Sequence, residues 1–155
     1  MESTKVTEEA AVVMESRLTT REQVAICFAA GVIGAAAVVV FSHVLFGLGI
    51  SAAFGVNAAA SLKSPDLYRP LFWGGLWGIP FGLLLRKAWT RLYLLGFLYF
   101  LAPVLALYLF FLPMHGLGYF GLHRGPMFAV YLLLVNLPYG IVTALAARGI
   151  IGKHF

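Results

Sequence analysis

At 155 residues, with hydrophobic residues at 61% and charged residues at 11%, the chain falls far short of the roughly 25% charge of a soluble domain. The formal charge of +5 does not indicate nucleic acid, because the basic residues gather at the ends of apolar stretches and form no stripe with exposed aromatics. The single cysteine, Cys27, excludes an intrachain disulfide and a paired-thiol relay.

These bounds predict an all-α integral membrane protein with four transmembrane helices. A polar cytoplasmic tail at 1–21 would precede a four-helix transmembrane domain at 22–155. The tail carries Glu2, Glu8, Glu9 and Glu15, too acidic for a secretory leader, so no cleaved signal peptide is expected. The first span is expected over about 24–46. It is rich in small residues, among them Gly31 and Gly34, which let helices approach closely where packing replaces the hydrophobic effect.

Residues 47–67 are broken by Gly47, Gly49, Gly55, Asn57 and Pro65 and do not suit a lipid-exposed span. A short interfacial helix near 51–62 is expected, with a re-entrant loop as the alternative. The second span, about 68–85, places Gly74, Gly78 and Gly82 at four-residue intervals on one face, an extended surface for another backbone. Trp73 and Trp77 read as an aromatic belt at the outer interface. The third span, about 92–113, contains Pro103, and the fourth, about 126–147, contains Asn136, Pro138 and Gly140. Pro80, Pro103 and Pro138 each remove a helix hydrogen bond and predict kinks.

Cationic residues fix the expected orientation. With the N-terminus inside, Lys5, Arg17, Arg21, Arg86, Lys87, Arg91, Arg148 and Lys153 lie on the cytoplasmic side against Lys63, Arg69 and Arg124 outside. That bias places both termini in the cytoplasm of a plasma membrane, as in a bacterial inner membrane. Gly78-Ile-Pro-Phe-Gly82 in the second span echoes Asn136-Leu-Pro-Tyr-Gly140 in the fourth, and Gly47-Leu-Gly49 echoes Gly116-Leu-Gly118. A two-helix unit used twice in parallel would produce both echoes.

Few residues carry chemistry. His43 and His115 come from different spans near the outer side, with His123 as a third member, and imidazoles can ligate copper or haem iron. Asn136 sits in mid-span, where an unsatisfied amide is costly, so it is expected either to bond another helix or to meet a solute. Arg69 and Arg124 suit a lipid headgroup or a partner's carboxylate. No enzyme motif is present, and no cofactor is expected beyond the histidine option. In size the chain resembles the small multidrug resistance transporters, which depend on a membrane-embedded glutamate in the first helix; no span here holds one.

Three functional expectations follow. The leading one is an accessory, structural or assembly subunit of a larger membrane complex, in contact with lipid and with other subunits or copies of itself. The others are a small oligomeric transporter or channel for a neutral or apolar solute, and a haem- or copper-binding redox protein.

Overall fold

The computed structural model describes residues 18–152, excepting the side chains at 86–89. Of the polar tail expected at 1–21, residues 1–17 lie outside the described residues, as do the orientation residues Lys5, Arg17 and Lys153. Among the described residues the chain is helical, without strands. α1 spans Thr20–Gly47, α2 Ile50–Ala53, α3 Tyr68–Ala88, α4 Leu92–Tyr99, α5 Leu101–Ala106, α6 Leu112–Met114 and α7 Pro126–Ile151.

Three helices among the described residues are long and apolar enough to cross a membrane: Thr20–Gly47, Leu92–Met114 and Pro126–Ile151. The expected fourth, α3, is not among them. It is 21 residues long, but its apolar stretch is diluted by four glycines and Pro80, and Arg69 stands in its first turn.

α1 begins four residues before the expected start because Thr19 and Glu22 form a capping box. The Thr19 hydroxyl accepts from the Glu22 amide at 3.3 Å, and the Glu22 carboxylate accepts from the Thr19 amide at 2.8 Å. Two amide donors at the helix start are thereby satisfied. The first buried polar side chain follows at once: Gln23 donates to Gly82 O at 2.6 Å, tying the start of α1 to α3.

The helix expected over 51–62 contracts to the four residues of α2. Gly55 adopts φ 74°, a left-handed turn that a side chain disfavours, and the chain then runs back along α1. It is held there by Ala60 N donating to Ser42 Oγ at 3.1 Å and by Phe54, whose ring lies 6.1 Å from that of Tyr131.

Glycines decide how the helices meet. A Cβ on Gly31 would overlap the Gly74 carbonyl oxygen, and one on Gly78 would overlap the Cys27 carbonyl, so α1 and α3 touch backbone to backbone. Gly82 continues that seam, its hypothetical Cβ 2.8 Å from Cys27 Cβ. Gly34 meets Thr143 and Tyr139 of α7, and Gly140 of α7 meets the Gly96 carbonyl of α4. The chain thus forms three close seams, α3 to α1, α1 to α7 and α7 to α4.

The remaining seam, between α3 and the Leu92–Met114 helix, is close where the hairpin at Trp89–Arg91 joins them. There the rings of Phe81 and Tyr99 lie 5.1 Å apart, and Tyr99 Oη donates to Trp77 O at 2.5 Å. Further along, the two helices part.

Candidate functional site

The parted helices enclose a cavity of about 440 Å³, within the roughly 300–1,000 Å³ range of small-molecule sites. α1 contributes Ala35 and Val38, α3 contributes Arg69, Pro70, Trp73, Gly74 and Trp77, and α7 contributes Asn136 and Tyr139. Pro103, Leu107, Phe111, Leu112, His115 and Leu117 complete the wall. Most of this lining is apolar or aromatic. The polar side chains divide between one end, where Arg69 and His115 are exposed, and the interior, where Asn136 and Tyr139 sit.

The wall from the third helix owes its shape to two irregularities. The helix is interrupted at Phe100, between α4 and α5, and Pro103 supplies no amide to the ladder. One turn on, Leu107–Phe111 winds as a π turn. Such turns are rare and concentrate at functional sites. Leu107 and Phe111, its first and last residues, both face the cavity, and the Phe111 ring meets Trp73 edge-on at 4.9 Å.

Tyr139 braces the inner wall. It is buried, and its hydroxyl donates to Gly74 O at 2.6 Å, linking α7 to α3 across α1. Replacing it with Phe removes this tie between α7 and α3, and Tyr139→Phe is expected to lower stability by about 1 kcal/mol. Thermal unfolding in one fixed detergent, beside Tyr119→Phe as an exposed control, measures this.

Asn136 differs from one expectation. Its Nδ2 donates to Leu132 O at 2.7 Å within its own helix, rather than to a neighbouring one. Its carbonyl oxygen has no partner among the described residues, and the residue lines the cavity. Thr143 and Ser42 likewise bond their own helices, to Tyr139 O at 2.6 Å and Val39 O at 2.7 Å.

The histidines occupy separate settings. His115 Nδ1 lies 2.7 Å from Phe111 O and His123 Nδ1 lies 2.9 Å from Gly116 O. Because a carbonyl only accepts, each Nδ1 carries the hydrogen and Nε2 is left free. His43 Nε2 is buried without a partner among the described residues. No group of three His, Cys, Asp or Glu among the described residues is arranged to hold a metal ion.

Arg124 lies over the Phe128 ring, 4.6 Å from its centre, and so is occupied as a cation–π partner at the start of α7. The Tyr119–Arg124 turn before it is tightly wound: Phe120 has φ 58° and Gly121 φ 70°. Of the predicted kinks, Pro103 falls beside the interruption of the third helix, whereas α3 and α7 are assigned as continuous helices across Pro80 and Pro138.

The cavity unites residues that sequence reasoning had treated apart. Trp73 and Trp77, read as an interface belt, line it together with Arg69, Pro103, His115 and Asn136. Gly96, the counterpart of Gly140, carries no sequence signal: it stands as one isolated glycine, with no four-residue spacing to mark it. Comparison with family models, curated proteins and solved structures finds no match.

Proposed function

We propose that the chain is a small multi-pass membrane protein that binds, and passes through its bundle, an apolar or amphipathic solute. The observation that carries this reading is the 440 Å³ cavity along the open seam, walled by rings and leucines with polar groups at one end and in its interior. Pre-formed concave sites of this composition are the usual form of small-molecule sites.

α3 is part of the proposal as a fourth span. It lies along α1 from the Gln23–Gly82 contact to the Gly31–Gly74 contact, so a membrane crossed by α1 also encloses α3. The parallel two-helix repeat belongs here too. In each half the glycine after the Pro-aromatic pair packs on the other helix of that half, Gly82 on Cys27 and Gly140 on Gly96. Charge bias supports cytoplasmic termini in a plasma membrane of the bacterial inner-membrane type, with the Arg69 end of the cavity outside.

The accessory-subunit reading has less support. The α3 glycine face, which would have offered a close contact to a second subunit, is used inside the chain. Exposed Phe72, Phe97 and Phe110 are groups that a bilayer covers as readily as a partner does.

The test uses protein in phosphatidylcholine nanodiscs with Trp77 as the sole tryptophan. Alkyl probes brominated along the chain should quench Trp77 saturably and be displaced by their unbrominated forms. Quenching that only rises linearly with probe, as for a ring touching bulk lipid, overturns the reading.

A further inference from the structure

An apolar wall alone gives a solute little reason to leave the bilayer, because lipid tails are as apolar as leucine. Preference for this cavity over the surrounding lipid must come from its polar groups. Most of these are already committed: Tyr139 Oη to Gly74 O, Asn136 Nδ2 to Leu132 O, and His115 Nδ1 to Phe111 O. Arg69 is not. It is exposed at the end of the cavity and makes no ion pair among the described residues.

The charge on the cavity wall is one-sided, although Asp66 stands three residues before Arg69 in the chain. After Glu22 the sequence holds a single acid, Asp66, and no acid lines the cavity. Arg69 also stands in the first turn of α3, where the helix dipole adds positive potential. An anion is favoured there and a cation is not.

We propose that the cavity takes a single-chain anionic amphiphile, with its carboxylate or phosphate head on Arg69 and its chain running inward past Trp77, Leu107 and Phe111. This deepens the solute-binding reading and rests on it. The guanidinium supplies a charge-assisted fork to the head, the strong class of hydrogen bond. The cavity walls supply a slot for one chain. His115, with Nε2 free beside the same opening, is a second contact for the head.

The experiment compares brominated palmitate, at a pH that keeps its carboxylate ionised, with the matching brominated alcohol and quaternary ammonium, in the Trp77-only protein in phosphatidylcholine nanodiscs. Palmitate is expected to bind about tenfold or more tighter than the alcohol, relative to membrane content, as one charged hydrogen bond implies. Arg69→Gln should erase that advantage, bringing palmitate to the level of the alcohol, and Arg69→Lys should keep most of it. Equal binding of palmitate and alcohol, unmoved by Arg69→Gln, overturns this proposal while the cavity reading stands. Tightest binding of the ammonium probe, or displacement of palmitate by inorganic phosphate at equal concentration, overturns it too. Absence of saturable quenching by any probe removes both readings together.

Discussion

Gly140→Val should prevent this protein from reaching its folded state, whereas Gly149→Ala, in the same helix, should fold normally. At Gly140 an added Cβ falls onto the Gly96 carbonyl and stands 3.1 Å from Phe100 N, so the obstacle is backbone, which cannot swing aside as a side chain can. α4 and α7 would have to separate, opening the seam that Ala144 and Gly96 close. Overpacking ordinarily costs about 1–3 kcal/mol, and a backbone clash at a close seam lies at or beyond the upper end. Gly149 has nothing within 4 Å of its added Cβ, so alanine there gains up to about 1 kcal/mol of helix propensity. Gly78→Val, against the Cys27 carbonyl, should repeat the Gly140 result at the other seam. Size-exclusion profiles and thermal unfolding in one detergent separate these outcomes, and a monodisperse, wild-type-like Gly140→Val protein would sink the assigned packing.

The second large effect concerns binding. Val38 and Leu107 face the cavity from opposite walls, on α1 and on the π turn. The double variant Val38→Phe, Leu107→Phe puts two rings where a chain would lie. Saturable quenching of Trp77 by alkyl probes should weaken at least tenfold, about 1.4 kcal/mol or more. Because the rings enter an existing void and not a filled core, thermal stability should hold or rise. Unchanged binding with unchanged stability places the solute elsewhere and removes the proposed function. Native mass spectrometry of protein released from nanodiscs serves as the second readout.

Much of this fold was legible in the chain because membrane helices advertise themselves by length, and because glycine at four-residue spacing has one strong packing use. Gly31, Gly74 and Gly78 were readable as a contact surface, and the structure supplies their partners within the same chain. The start of α1 was legible as well, since Thr19 and Glu22 spell a capping box, but the hydropathy change at Val24 drew the boundary inward. Other features left no local trace. Gly96 carries no spacing signal. The π turn at Leu107–Phe111 has an ordinary apolar sequence and arises from how the third helix meets its neighbours. Trp73 and Trp77 have the composition of an interface belt, and only the parting of α3 from the third helix turns them toward a cavity. The site was opaque for the same reason: its walls come from four stretches far apart in sequence, and each looks like plain membrane helix.

The π turn also sets what a single-residue length change would do. A turn wound that way holds one residue more than the α turn it replaces, and one residue is about 100° of rotation about the helix axis. The stretch before it is keyed to α7 by Gly96, and the stretch after it carries Phe111, Leu112 and His115 to the cavity. Deleting one residue between Leu107 and Phe111 would restore a regular spiral, keep both ends of the helix in the bundle, and swing those three side chains a quarter turn or more off the opening. In this architecture one additional residue is enough to aim a helix at the cavity, and its loss enough to turn it away.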